Sequence, residues 1–500
     1  MKKSLSILGF VFVACVSFEG CRVGPKYVRA DMPAAPPVTY KENQPGSPEA
    51  QTNGWKQANP QDAMLRGKWW EVFGDSELNT LEESLNINNQ NIKQFFENYM
   101  AARAIVRNAR ASLFPTVSIG PSFTGGGSAA SSSSSSSGGA TSIGGSSFAA
   151  GYELPVNVSW EPDLFGQIRN TIREDANAAQ VSAANLANEK LSEQASLAQY
   201  YFELRGQDSL QELYNNTIKS YRESLHLTQV LFRTGIDSQE DVAQAETNLR
   251  TAEANAVGIA TTRAQYEHAI ALLIGEAAGS FSMPVKPLQT SVPYVPTGIP
   301  SQLLERRPDI AAAERTMAEA NALIGVGKAA YYPSISLSSA AGTQASDITK
   351  LLTYGATFWA VGGSASETVL DFGARRANMQ RYEAQYNADV ASYRQTVLNA
   401  FKEVEDSLVS SRQLAEQVQR QQLAVKAAQR YETLATTRYK TGIDTYLNVL
   451  TAQNTLLSSQ QTLATLQISQ MTSAVQLSAA LGGGWDSAEL PTEKQVARKP

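Results

Sequence analysis

Cysteine and histidine are almost missing. The 500 residues include 2 of each, and both cysteines, Cys15 and Cys21, fall at the N-terminal end. The body of the chain therefore has no disulfide and little from which to build a metal site. His226 and His268 lie inside helical patterns with no Ser, Cys or metal-type partner at useful spacing. Gly327-Lys328 lacks the upstream Gly and the following Ser or Thr of a phosphate loop. These gaps argue against an enzyme and against a cofactor. Charged residues make up only 18 % of the chain and the net charge is −5, so nucleic acid is not an expected partner. The same low charge excludes a long solvated coiled coil, and 42 % hydrophobic content excludes disorder. The apolar run from Leu5 to Ala14 is far shorter than the ~20 residues of a membrane-spanning helix.

What is present is a phrase written twice. Arg233-Thr234-Gly235-Ile236-Asp237 returns as Lys440-Thr441-Gly442-Ile443-Asp444. Each copy follows a very long helical pattern and precedes a shorter one. Gly suits the left-handed position that ends a helix, and Asp two residues on suits the N-cap of the next. The copies lie 207 residues apart; the same offset carries Phe165-Gly166 onto Phe372-Gly373 and Gly275 onto Gly482. A constant offset over that span is an internal duplication.

The first 20 residues read as a targeting segment. Lys2 and Lys3 precede the apolar run, and Phe18-Glu19-Gly20-Cys21 closes it. Gly before Cys there resembles a bacterial lipoprotein cleavage site, with Cys21 as the lipidated residue. Val13-Ala14-Cys15 is a competing site, and a plain secretory signal is the alternative to both. Residues 21–67, rich in Pro, Gln, Asn and Ala, have no sustained periodicity and read as an extended arm.

The first copy spans 68–282. Ser76 is placed to cap a helix running to about Leu113, which Phe114-Pro115 ends. Val117, Ile119 and Phe123 then share one face, with Thr116 and Ser118 on the other, so a strand is expected near 114–124. Residues 125–151, including seven consecutive Ser at 131–137, read as a flexible exposed loop. A second strand near 151–162 puts Leu154, Val156, Val158 and Trp160 on one face. From Gln167 a helical pattern continues without Pro to Phe232, about 100 Å at 1.5 Å per residue. A shorter helix follows from about Ser238 to Ile274. Prolines at 284, 287, 293, 296 and 300 mark a linker over 283–300.

The second copy, 301–482, repeats the order. A helix opens at Pro308-Asp309 and ends at Tyr332-Pro333. Strands are expected near 333–342 and 356–370. A long helix from about Ala374 to Tyr439 carries an apolar stripe through Tyr386, Val390, Tyr393, Val397, Phe401, Val404 and Leu408. A last helix covers about 445–481, and 483–500 reads as a polar tail. The fold class is mainly α with membrane β: a duplicated helix-strand-strand-long helix-helix unit. The short helices of a copy, stacked end to end, match the long one in length. The strands, apolar on one face and small and polar on the other, suit a membrane barrel. Four strands do not close one, and open edges are not tolerated in lipid, so the closed object is an oligomer.

These residues resemble the outer-membrane factor family, the TolC-like exit ducts of tripartite efflux pumps, in its lipoprotein branch. Cys21-Arg-Val-Gly-Pro-Lys-Tyr27 looks like that branch's lipidated start. Trp69-Trp70, Phe73, Asp75 and Leu78 are similar to the opening of its first helix. Leu304-Glu-Arg-Arg-Pro-Asp-Ile310 with Glu314 is similar to its most distinctive phrase, and Tyr439-Lys-Thr-Gly442 with Val449-Leu450 to its second periplasmic turn. The resemblance covers nearly all of the chain after Cys21. It implies a lipid-anchored (palmitate-bearing) homotrimer in the outer membrane: a β-barrel on a periplasmic α-helical barrel. The helical tip would open when a periplasmic adaptor and an inner-membrane transporter dock, letting small molecules leave passively. The resemblance places the gate at Leu447, Thr451 and Asn454. The family often has an acidic residue where Thr451 stands and a basic one where Asn454 stands, so closure by apolar packing and neutral hydrogen bonds is expected. It also makes Arg233, Gly235, Lys440 and Gly442 adaptor contacts. Plain helix termination would explain the same turn residues, and coiled-coil packing would explain Leu447. A lipid-anchored structural or adhesive coiled coil is the rival function, but it leaves the matching pairs of strands unexplained.

Overall fold

The structure, a computed structural model, describes residues 22–31, 40–42, 67–128, 147–289, 292–293, 295 and 303–498. Cys15, Cys21 and the serine run 131–137 lie outside them. The duplication is visible in element lengths. Helix α2 (Gln90–Ala111) and helix α6 (Pro308–Ala329) each have 22 residues. Helices α3 (Gln167–Arg233) and α7 (Ala374–Lys440) have 67 each, and α4 (Gln239–Leu273) and α8 (Tyr446–Ala480) have 35 each. A further helix α1 (Ser76–Asn88) precedes α2, and a single turn α5 (Leu303–Arg306) precedes α6.

The sequence-predicted first helix, 76 to 113, is two helices. Asn89 leaves the helical region and its carboxamide oxygen accepts the Ile92 N–H at 2.9 Å. A short polar side chain that bonds its own backbone competes with the helix and restarts it. Nor is Ser76 the cap of α1. Asp75 is, accepting the N–H groups of Glu77 and Leu78 while Tyr201 donates its hydroxyl to the other carboxylate oxygen at 2.6 Å. Trp69 and Trp70 are buried beside it with Leu78, Leu85 and Leu197.

The strands form one antiparallel sheet: β1 (Thr116–Ile119) and β2 (Ser122–Ser128) both pair with β3 (Ser147–Trp160), which pairs with β4 (Ser334–Ala345), which pairs with β5 (Thr357–Ser366). β1 and β2 keep one register on β3. The interruption lies at Gly120-Pro121, where Gly120 donates to the carbonyl of Pro155 at 3.4 Å and Pro155 has no N–H to return. The Gly/Ser stretch expected as loop from 125 to 151 is therefore partly strand, at 125–128 and 147–151, and the fourth strand stops at Ser366 and not near 370. Opposed residues share a face. Val117 faces Val158, Ile119 faces Val156, Trp160 faces Leu337 and Ala341 faces Trp359. Ser118 and Asn157, and Ser336 and Ser364, make up the other face. The apolar face is bare, with Trp359 80 % and Ile119 67 % exposed. Both edges of the sheet are open within one chain.

Below the sheet the helices are staves. α3 packs against α2, α4, α6 and α8, and α7 against α6 and α8. On the stripe of α7, Tyr393, Val397, Val404 and Leu408 are buried, with Tyr386, Val390 and Phe401 against them. No described helix is long and apolar enough to cross a membrane. A buried charge network ties the linker to the staves. Asp208 accepts from Arg263 at 2.6 Å, from Arg205 at 3.2 Å and from the Lys286 N–H at 2.9 Å. Arg205 also meets Glu77 at 2.6 Å. Removing one partner would strand a buried charge, a loss of about 3–5 kcal/mol.

The arm crosses from one half to the other. Val23 donates its N–H to the Phe165 carbonyl of the first copy at 3.2 Å, whereas residues 27–31 and 40–42 lie on the second: Tyr27 donates to Glu314 at 2.7 Å, Arg29 to Tyr393 at 2.9 Å, and Arg412 to Glu42 at 2.6 Å. The C-terminal stretch, expected as a polar tail, is folded on the first. A turn of helix, α9 (Glu493–Val496), buries Val496 against Val106, Ala176 and Ala179, and Arg103 donates to the Val496 carbonyl at 3.1 Å.

Candidate functional site

The far end of the staves carries both copies of the repeated phrase. In each, the helix closes with the same two backbone bonds. Gly235 N–H reaches the Phe232 carbonyl at 3.0 Å and Ile236 N–H reaches Leu231 at 2.9 Å; Gly442 reaches Tyr439 at 2.9 Å and Ile443 reaches Arg438 at 3.0 Å. This is the Schellman closure, which needs a left-handed residue after the helix. Gly235 has φ 79° and Gly442 φ 73°, and nothing lies within 4 Å of a Cβ at either. The requirement is conformational and not spatial.

The aspartates expected as N-caps are one residue too early. The caps are Ser238, which forms a capping box with Asp241, and Thr445. This frees Asp237 for a contact across the tip, while Asp444 serves its own turn. Asp237 accepts the hydroxyl of Tyr439, from the other copy's turn. Burial, then Asp237 itself, pushes the Tyr439 phenol far above its ordinary range, so it stays a donor. Asp444 accepts from Asn448 and from the Thr445 N–H, and pairs with Arg438 at 3.3 Å. Asn448, then Thr445, with Arg438 assisting, holds its carboxyl below the ordinary range.

Tyr439 also packs on Tyr446, ring centroids 5.6 Å apart, among Ala245, Val449, Leu225 and Leu231. The expected gate residues lie one to three turns up α8. Leu447, Thr451 and Asn454 are all exposed, on one face of the helix at i, i+4 and i+7. Leu447 is 57 % exposed. The Thr451 hydroxyl is spent on the Leu447 carbonyl at 2.9 Å, and Asn454 accepts the Tyr221 hydroxyl at 3.3 Å. On the buried side of α8, Gln453 donates to Ser224 at 2.8 Å. Among the described residues no carboxylate bonds to the three. Arg233 and Lys440 are exposed at the two turns. The Tyr439–Asp237 tie was missed in the sequence because it joins two copies of a phrase read separately; its one signal was the hydroxyl that Tyr439 carries where the first copy has Phe232.

A sheet bare and apolar on one face, borne on helical staves that end in paired, capped turns, defines one segment of an outer-membrane duct. The sequence bears this out. The chain belongs to the outer membrane efflux protein family, which it matches over residues 81–276 and 299–483. The toluene efflux pump outer membrane protein TtgC of Pseudomonas putida is 32 % identical over 484 residues, 96 % of this chain and 95 % of that one. The antibiotic efflux pump outer membrane protein ArpC of Pseudomonas putida is similar to the same extent, 32 % over 96 % and 95 %. Among solved structures, the outer-membrane channel OprN covers 93 % of this chain and 100 % of its own, with TM-score 0.81 and 28 % identity. The chain is an outer-membrane efflux channel component and not an enzyme. The adhesive coiled-coil reading falls with that.

Proposed function

We propose that three copies close one duct, each giving its sheet to a barrel in the outer membrane and its staves to a periplasmic tube. Small molecules cross it passively, and selection is made by an inner-membrane transporter below. The observation that carries this reading is the single sheet with an apolar outer face and two unpaired edges above closed, capped turns.

At the tip, a ring of Leu447 side chains narrows the resting lumen, with Thr451 and Asn454 as a neutral polar layer above it. Arg233, Gly235, Lys440 and Gly442 form the surface on which a periplasmic adaptor docks. Docking competes with the Tyr439–Asp237 tie and lets the staves part. Lipid on Cys21 anchors the chain. Support comes from Arg22, which lies against Gly166, a few residues below the end of β3 and so close to the membrane end of the staves.

The test is efflux in a deletion strain carrying charge-reversing pairs at Arg233 and Lys440, with oligomers checked in the membrane. Lost efflux with intact oligomers is the expected outcome; full efflux removes the turns from the docking surface. Mass spectrometry of the mature N-terminus decides between Cys21, Cys15 and no lipid.

A further inference from the structure

The junction between the two halves of one chain is a template. At its membrane end β3 meets β4, with Val156 opposite Ala341 and Asn157 opposite Ala340. Below it the Phe165 ring stacks on Tyr332, centroids 4.7 Å apart and 17° between planes. The duplication carries Phe165-Gly166 onto Phe372-Gly373 and Phe114-Pro115 onto Tyr332-Pro333. Applied to the first hairpin, these two shifts turn the pair Val117–Val158 into Ile335–Ala365 and Ser118–Asn157 into Ser336–Ser364. Both are the observed pairs of the second hairpin. The two halves are thus repeated residue for residue through the sheet.

The same shifts applied to the junction point to groups that lack a partner. The counterparts of Phe165 and Tyr332 are Phe372 and Phe114, which are 93 % and 68 % exposed. Neither has an aromatic partner among the described residues. Phe372 is also the one described non-glycine residue with positive φ, 51°, a conformation that costs about 1–2 kcal/mol. The counterparts of β3 and β4 are β5 and the β1/β2 strand, the two open edges of the sheet.

We propose that the seam between neighbouring copies repeats the seam inside one chain, pair for pair. β5 of one copy lies antiparallel to β1/β2 of the next, with Ser364 opposite Ser122, Gly363 opposite Phe123 and Gly362 opposite Thr124. Below them Phe372 stacks on Phe114 of the next copy. This rests on the ring closure proposed above and fixes its register. The register keeps Phe123 on the same face as Val361 and Trp359, so the apolar belt runs unbroken across the seam. A one-residue slip would turn that belt inward. A two-residue slip would preserve the faces, and is the competitor to be separated. Because one surface patch meets a different one, the contact is head-to-tail and closes only as a ring.

Gly120 turns its N–H toward β3, so Ser122, two residues on, does the same. Its pair with the next copy is then a non-hydrogen-bonded one, where side chains approach most closely. The test is a Ser122→Cys/Ser364→Cys full-length chain oxidised in its membrane and run without reductant, beside each single variant. The slipped pairs, Ser122→Cys with Gly362→Cys and with Ser366→Cys, run alongside. Native mass of the unoxidised protein is measured in parallel. Covalent oligomers are expected from the predicted pair, none from the singles, and several-fold less from either slipped pair. Oligomers of normal native mass that link better through a slipped pair, or not through the predicted one, overturn the register while leaving the ring. A monomeric native mass overturns both.

Discussion

Asn89 donates its side-chain amide to the carbonyl of Leu273 at 2.9 Å, across 184 residues of sequence. In the second copy Arg307 donates to the carbonyl of Ala480 at 3.1 Å. Leu273 ends α4 and Ala480 ends α8, and each donor stands where the next short helix of its half begins. The joints are therefore the places where two short helices continue one stave. Gly275 and Gly482, both left-handed, pass so close to the Asn88 and Arg306 carbonyls that a Cβ would collide. A carboxylate of the long helix completes each joint: Glu193 accepts from Asn91 at 2.7 Å, Glu403 from Arg307 at 2.7 Å. Asn89→Ala removes both this bond and the cap of α2, a loss of about 1–2 kcal/mol. Arg307→Lys keeps the charge but not the fork that reaches Asp309, Glu403 and Ala480 together. Thermal unfolding of both variants is expected at lower temperature than wild type, with Arg307→Ala lowest.

The Tyr439 hydroxyl is the direct bond between the two tip turns. Tyr439→Phe removes one charge-assisted bond, about 1.5–3 kcal/mol, and leaves the ring packing on Tyr446. Single-channel recording is expected to show a higher open fraction than wild type, and Asp237→Asn should move the same way. Unchanged gating would assign the tie to stability alone.

Gly442 is needed for its φ and not for room, which separates two substitutions. Gly442→Asn is expected to retain efflux, since Asn enters the left-handed region with little cost. Gly442→Val is expected to abolish it while oligomers still form. Drug susceptibility together with native mass reads both.

Burial, and then Asp175, raises the Glu174 carboxyl to about 7 from an ordinary 4.5, with Glu319 of α6 adding to it. Glu319 is itself raised by burial and by Asp389 of α7 and Asp175. The folded state therefore holds more protons than the unfolded one between these values, and stability falls as pH rises through that window. Glu174→Gln should flatten the melting temperature between about pH 5 and pH 7, gaining most at the upper end. Parallel curves for the two proteins would remove Glu174 from the cause.

The helices were legible in the sequence because 67-residue staves declare themselves by period and by the missing prolines. Their closing glycines were legible because only glycine takes that backbone cheaply. Asn89 was not, since one asparagine among Asn88, Gln90 and Asn91 gives no pattern, and the bond that uses it comes from 184 residues away. The aspartates of the turns were misplaced by one residue because Ser238 and Thr445, the true caps, are equally good candidates. The strand faces could be read from alternation where Val, Ile and Leu mark it. At Gly362-Gly363 and through the Gly/Ser segment there is no side-chain signal, and only pairing shows the strand.

The most direct measurement is conductance of the purified, lipid-reconstituted protein in a planar bilayer, taken with its native mass. The account predicts a trimer that inserts, rests at low conductance and opens widely when Tyr439→Phe unties the tip. A monomer that never conducts would contradict the duct, and a wild-type pore already wide open at rest would contradict its gate.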